Sequence, residues 1–295
     1  MEEWPAIDSR DYIVAFELRS TDDCPPDFDL QASLAGFDAG LFLPRGDRDW
    51  FGRPLYPPRV LLLKGGTLHI VSHPGIKEPS RHCAVRRIAS VESGHMLLKG
   101  WLRFTGTGFD CTVRYNTRGF GSVSRFMRRF RDELLGDAGP GGISQAGFGA
   151  SLDIKFANAL ARELDSEETV LTQVFQPPAE VRSGRWWLPR RRWIPGDLLA
   201  LTGRRVLWIT DRERGSYSRY GSIASYAPFD AVLGIDPVSS GAGDALQVKL
   251  SGGGDWRIPI AAESRWDRRR VAREFRAALE IRKKRKEASR REERG

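Results

Sequence analysis

The sequence predicts a mostly β fold with α: two tandem domains, each a small β-barrel or sandwich capped by a C-terminal helix. Three observations carry this reading. The same succession of apolar runs, Gly turns and a closing amphipathic helix occurs twice, around residue 60 and again around residue 198. A Gly-rich stretch separates the two copies. The chain has 295 residues, 40% of them hydrophobic, with nine Trp, enough for two cores of ordinary size. The expected division is a first domain over 1–136, a linker over 137–150, a second domain with a leading helix over 151–281, and a basic tail over 282–295.

In the first copy Tyr12 to Leu18 reads as an opening strand. Leu61-Leu62-Leu63-Lys64-Gly65-Gly66-Thr67-Leu68-His69-Ile70-Val71 reads as strand, tight turn, strand. The Gly-Gly pair supplies the positive φ that a two-residue hairpin turn requires. At a shift of 138 positions Leu61, Leu63 and Gly65 fall on Leu199, Leu201 and Gly203, inside the run Leu198 to Thr210. Upstream, Leu43-Pro44-Arg45 recurs as Leu188-Pro189-Arg190, and Trp50 has a counterpart in Trp193.

Downstream, Leu102 to Gly106 resembles Val248 to Gly252. The returning strands are Asp110 to Tyr115 and Asp255 to Ile260. Their alternation marks strands with one face in a core. Each copy then ends in a helix. Ser122 is expected to cap the first, which carries Val123, Met127, Phe130 and Leu134 on one face. Ser264 with Asp267 is a capping-box-like start for the second, with Val271, Phe275, Ala278 and Leu279 as its buried stripe. Arg128 to Leu134 lies over Arg273 to Leu279 with four identities in seven.

Between the copies, 136–150 holds six Gly and one Pro, a flexible composition. Ser151 to Leu164 reads as a short amphipathic helix with Leu152, Phe156, Leu160 and Leu164 on one side. Asp165 to Glu168 then opens a further structured stretch ending at Pro177-Pro178.

The net charge of +9 is localised. Residues 282–295 hold eight Lys or Arg against three Glu, and 181–196 hold five Arg and no acid, a net +5 in each. The rest of the chain is close to neutral. Such patches attract phosphates, anionic lipid heads or acidic protein surfaces. The N-terminus Met1-Glu2-Glu3-Trp4-Pro5 lacks the basic-then-apolar form of a signal peptide. No apolar stretch approaches the roughly 18–20 residues of a membrane span. Cys24, Cys83 and Cys111 are odd in number and widely spaced, so reduced thiols are expected. The expected location is the cytoplasm, with a peripheral place at the inner face of the membrane as an option.

The sharpest local signal is Arg182, Arg185, Trp186, Trp187, Arg190, Arg191, Arg192 and Trp193, followed by Arg204 and Arg205. Arg pairs with oxyanions bidentately, and Arg and Trp are enriched at interface hot spots. Near an anionic bilayer each such cation adds about 1 kcal/mol. The competing reading is a solvated Arg turn whose Trp rings plug the barrel. The tail Lys283-Lys284-Arg285-Lys286 is either a nonspecific anion-binding arm or a solubilising end. His69, His73, His82 and Cys83 do not share a zinc-ligand spacing, so no metal is expected.

Thr117 to Ser122 and Ser251 to Asp255 read as turns, since neither matches GxGxxG or GxxxxGK[ST]. Acidic pairs such as Asp22-Asp23 and Glu167-Glu168 suit turns and helix starts. No GxSxG or HExxH motif occurs. No cofactor, catalytic residue or small-molecule substrate is expected.

Several hairpin-connected strands closed by one helix resemble the pleckstrin-homology superfold. Gly196 to Leu207 is similar to the hairpin common in the bacterial PH-like and GRAM-like group, and Ile223 to Ile235 and Trp256 to Ile260 fit the same pattern. The resemblance covers roughly 165–281 and, through the repeat, 40–136. It implies binding of phosphoinositide heads, other anionic lipids or protein segments. The duplication, the localised charge and the missing catalytic motifs add the expectation of a non-enzymatic binding or adaptor protein for a protein partner or an anionic membrane surface. The basic first-hairpin pattern of lipid-binding members is replaced here by Arg190-Arg191-Arg192, just before Leu198. The alternative is a nucleic-acid binder using the Arg/Trp segment and the basic tail.

Overall fold

A computed structural model describes residues 14–28, 30, 34–46, 56–75, 77–96, 98–136, 152–165, 168–183, 190–211, 221–240, 243–259, 269, 272–281, 284 and 288. Its content is mostly β with helices, compatible with an open sandwich. The chain divides into two compact units: Met1–Ile88 with Ser93–Phe104 and Phe109–Asp137, and Ala89–Glu92 with Thr105–Gly108 and Ala138–Gly295.

In the first unit, β1 (Phe16–Leu18), β2 (Ala39–Leu43), β3 (Arg59–Lys64), β4 (Thr67–Ser72) and β5 (Arg81–Ala84) form an antiparallel sheet in sequence order. Gly65 and Gly66, at φ 51° and 70°, make the two-residue turn between β3 and β4, the turn geometry that matches strand twist. A 3₁₀ turn at Val85–Arg87 leads into β6 (Ile88–Met96), which neighbours β7 (Lys99–Gly106) and then β8 (Phe109–Asn116). β7 and β8 alternate as expected: Leu102, Phe104, Val113 and Tyr115 are buried.

Two glycines here are set by close approach. A Cβ at Gly94 would meet the Trp101 ring at 2.1 Å, and one at Gly100 the Tyr115 ring at 2.4 Å.

Helix α1 (Phe120–Leu135) closes the first unit, with Val123, Phe126, Met127 and Phe130 buried and Phe104 edge-on to Phe130 at 5.2 Å. Ser122 is not its cap. Asn116 Oδ1 accepts from the Arg118 amide and caps a 3₁₀ turn at Thr117–Gly119, and that turn runs straight into α1 at Phe120. The start therefore lies two residues before the predicted cap.

β3 is buried along both faces, because residues from 18–37 cover the side away from the alternating pattern. Leu18, Phe28, Phe42, Val60 and Leu62 form one cluster, with Cys24, Leu30, Leu34 and Phe37 packed on it. A run such as Leu61-Leu62-Leu63 carries that signal, since a strand covered on both sides reads as continuously apolar.

In the second unit Asp153 caps α2 (Ile154–Glu163) by accepting from the Lys155 amide at 2.8 Å. Leu152 and Leu164 lie just outside the helix, while Phe156, Ala159 and Leu160 are buried on it. The strands follow as β9 (Val170–Gln176), β10 (Ala179–Ser183), β11 (Arg190–Ile194), β12 (Asp197–Thr202), β13 (Arg205–Thr210) and β14 (Gly221–Pro228). β9, β12, β13 and β14 neighbour one another in that order, and β10 pairs only β11 among the described strands. A 3₁₀ turn at Phe229–Ala231 leads into β15 (Val232–Ser240), β16 (Gly243–Leu250) and β17 (Trp256–Pro259), a separate three-stranded sheet. Residues 272–281 are helical.

The second core lies between these two sheets and the last helix. Leu199, Leu201, Val206, Val232, Ile235, Leu246, Val248, Trp256, Ile258, Ala272, Phe275 and Leu279 share it. Ala278 is only partly buried and Ala272 is fully buried, so the stripe sits slightly round the helix from the expected one. Val271 and Ser264 lie outside the described residues. Helix α2 packs on β13 and β14.

From β3 and from β12 the two units run through matching elements. Each has a six-residue strand, a two-residue turn, a six-residue strand, a further strand, a three-residue 3₁₀ turn, a nine-residue strand, an eight-residue strand, a returning strand and a helix. The shift is 138 at the first hairpin and 144 from Val85 onto Phe229, Ile88 onto Val232 and Lys99 onto Gly243. The second turn is built differently from the first. Gly203 is not in the positive-φ region. Instead Thr202 Oγ1 accepts from the amides of Arg204 and Arg205, both at 3.1 Å, the side-chain mimicry of a turn that Ser and Thr provide.

Candidate functional site

The Arg/Trp segment takes its shape from prolines. β9 ends at Gln176 before Pro177-Pro178, and β12 begins at Asp197 after Pro195-Gly196. Proline has no N–H to give a ladder, so the main sheet cannot continue through these positions. Yet Gln176 and Asp197 are direct register partners. Residues 177–196 are therefore an excursion from the end of an otherwise continuous β9–β12 hairpin.

Within the excursion β10 and β11 pair with each other. Arg182 lies opposite Arg191, Val181 opposite Arg192, Ser183 opposite Arg190 and Glu180 opposite Trp193. Five of the eight expected segment residues, Arg182, Arg190, Arg191, Arg192 and Trp193, thus belong to one two-stranded ribbon. Arg185, Trp186 and Trp187 lie outside the described residues. The matching point of the first unit is built alike: Leu43 pairs directly with Arg59, and Pro44 and Pro57-Pro58 bracket the intervening residues.

Arg204 and Arg205 are not part of this ribbon. The structure removes Arg205 from the contact set, because its side chain has 0% exposure and is spent on Glu168, also 0% exposed. Arg205 Nε donates to Glu168 Oε1 at 3.0 Å, and Nη2 donates to Oε2 at 2.6 Å. Nη2 also donates to the Glu163 carbonyl at the end of α2. The guanidinium carbon sits 5.0 Å from the Tyr226 ring centroid. Arg204 lies beside Asp165 at 3.7 Å with little exposure.

Glu168 is the residue the sequence reading missed. It does close a turn, as expected, its amide donating to the Asp165 carbonyl at 2.9 Å between α2 and β9, but its carboxylate is buried, with Thr202 Oγ1 donating to it. Burial pushes its pKa up, but the Arg205 charge and the hydrogen bonds from Arg205, Thr202 and the Asp165 amide outweigh that and hold it below the ordinary value. This cluster fastens the end of α2 to the β12–β13 turn. Its pattern in sequence, Glu168 and Arg205 separated by 37 positions, carries no local signature.

In the tail, Lys284 is helical and exposed, and Lys283, Arg285 and Lys286 lie outside the described residues. His69 and His82 are cross-strand partners with ring centroids 6.0 Å apart, while His73 Nε2 meets Asp27 Oδ2 at 3.0 Å. Among the described residues no group of three or more His, Cys, Asp or Glu could hold a metal ion. No described helix is long and apolar enough to cross a membrane.

Comparison with known proteins found no matching family model, no matching curated protein and no matching solved structure.

Proposed function

We propose that this chain is a non-enzymatic binding or adaptor protein made of two tandem PH-like units, and that the arginine ribbon at 177–196 is its contact surface for an acidic patch on a protein partner. The observation that carries this is the register pair Gln176 and Asp197, which lets the ribbon leave the scaffold and return without interrupting it. Residues 177–196 carry five Arg and one acid, Glu180, a net +4. Arg182 and Arg191 are directly opposite in the ladder, and like charges so placed cost stability that an acidic partner relieves. Charge complementarity of this kind raises association rates and screens out wrong partners. In support of PH-like units, each runs through hairpin-connected antiparallel strands, then three more, then a helix: five strands β1–β5, then β6–β8 and α1 in the first, and four strands β9 and β12–β14, then β15–β17 and residues 272–281 in the second.

The test places a photo-crosslinking residue at Ser183 in the full chain, expressed in its native host. The expected result is a discrete protein adduct crosslinked through an acidic segment and lost in R182E/R191E. Co-sedimentation with phosphatidylserine vesicles, with no protein adduct, would overturn the protein-partner reading in favour of a peripheral membrane role.

A further inference from the structure

The first unit carries a second basic feature that the sequence pattern did not single out. A cleft of about 570 Å³ lies between α1 and the edge formed by β1 and the start of β2. That size falls in the range of ligand sites, roughly 300–1,000 Å³. Arg125, Arg128 and Arg129 come from successive turns of α1 and Arg19 from just beyond β1, while Phe37 and Gly40 line the sheet side.

The charges in the cleft are not balanced. Arg125 pairs with Glu17. Asp38 accepts from the Gly65 amide at 2.8 Å. Asp132 is engaged within the chain. The guanidinium groups of Arg19, Arg128 and Arg129 have no hydrogen-bond or ion-pair partner among the described residues. The lining holds four Arg against Glu17, Asp38 and Asp132, a net +1, and the Arg19, Arg128 and Arg129 side chains are the cations left to meet a ligand.

The backbone beside them is also open. β1 is a three-residue strand at the end of the sheet order, and its register with β2 stops at Leu18 opposite Gly40. The chain then turns away into the 3₁₀ turn at Thr21–Asp23, where Ser20 and Asp23 form a capping box. Ala39 pairs Leu63 on its inner side and has no strand partner on its outer side among the described residues. A sheet edge of this kind accepts an added extended strand through main-chain hydrogen bonds.

We propose that this cleft binds an extended peptide segment carrying acidic side chains. The main chain of the peptide lies along the open edge at Ala39, and its carboxylates pair with Arg128 and Arg129 on one side and Arg19 at the end. Guanidinium–carboxylate pairing is bidentate and geometrically selective, so a neutral peptide of the same length is rejected. The site shares no residue with the ribbon.

Hydrogen exchange on the full chain tests this with two synthetic twelve-residue peptides, one Glu-rich and one with Gln in place of every Glu. The Glu-rich peptide is expected to slow exchange at residues 37–40. The effect persists in R182E/R191E, which separates this site from the ribbon. In R128Q/R129Q the peptide concentration needed rises at least tenfold. Arg19→Gln, remote from the helix, gives a smaller rise and guards against a helix variant that fails to fold. The proposal is overturned if 37–40 stay unprotected at saturating peptide or if the Gln peptide protects equally. It is also overturned if inorganic tripolyphosphate reproduces the protection, which would make the site a phosphate site.

Discussion

Replacing Glu168 with Gln should destabilise the second unit more than any surface change in it. The Arg205 side chain is fully buried and its charge is balanced chiefly by this carboxylate through two hydrogen bonds, at 3.0 and 2.6 Å, with Glu163 as a weaker neighbour. Glu168→Gln keeps the volume but takes from the buried guanidinium its only hydrogen-bonded carboxylate among the described residues, leaving the weaker field of Glu163, a change that costs about 3–5 kcal/mol. The double variant E168L/R205M replaces the pair by apolar groups of similar size and should recover most of that loss. Urea unfolding supplies the free energies, with hydrogen exchange at β12 and β13 locating the change. The pair also fixes an acid limit. Because the folded-state pKa of Glu168 is depressed, its contribution is present above the unfolded value near 4.3 and is lost as pH falls through the folded value. The double variant should lack this acid-dependent loss. A cost below about 1 kcal/mol for E168Q would refute the reasoning, since it is far under the range for an orphaned buried charge.

Three further outcomes follow from single contacts. Gly94→Ala forces a methyl to 2.1 Å from the Trp101 ring and should cost about 1–3 kcal/mol with a shift in Trp fluorescence. Gly121→Ala on α1, whose nearest atom would be 3.6 Å away, should instead stabilise by about 0.5–1 kcal/mol; thermal melts compare the two. Burial pushes the Cys24 thiol up to about 12, and Cys83 and Cys111 are also raised, chiefly by burial. All three should react slowly with a disulfide reagent at pH 8 in the folded chain and fully in denaturant. Burial, then the neighbouring His82 and Lys64, lowers the His69 pKa below its ordinary value. An NMR titration of His82→Gln should show the His69 midpoint rising while staying under 6.5, because burial is the larger cause.

The elements that the sequence revealed were those whose pattern is local. The β3–β4 hairpin follows from Gly65-Gly66 between apolar runs, and the strands β7 and β8 follow from strict alternation. What it hid depends on partners far along the chain. Leu62 and Val60 face Phe28 and Phe42, so the covering layer from 18–37 is visible only as a Leu run too continuous for a half-buried strand. The similarity of Gly65 and Gly203 suggested one turn type, but Thr202 provides the second turn by side-chain hydrogen bonding. Arg205 looked like a surface cation beside Arg204 because nothing near it in sequence announces Glu168. The ribbon was half legible: its charge and prolines stand in the sequence, while its separation from the sheet rests on the Gln176–Asp197 pairing. The arginines of the α1 cleft escaped notice because Arg19 and Arg128 are distant in sequence.

The central claim is that the ribbon makes the contacts of the second unit while that unit's sheets and helices only carry it. Deleting 177–196 and joining Gln176 to Asp197 through Asn-Gly, a two-residue hairpin turn, separates those roles because the two flanking residues are already paired. The account predicts a melting temperature within a few degrees of the intact chain together with loss of the crosslinked partner. A shortened chain that still captures that partner, or that no longer folds, would contradict it.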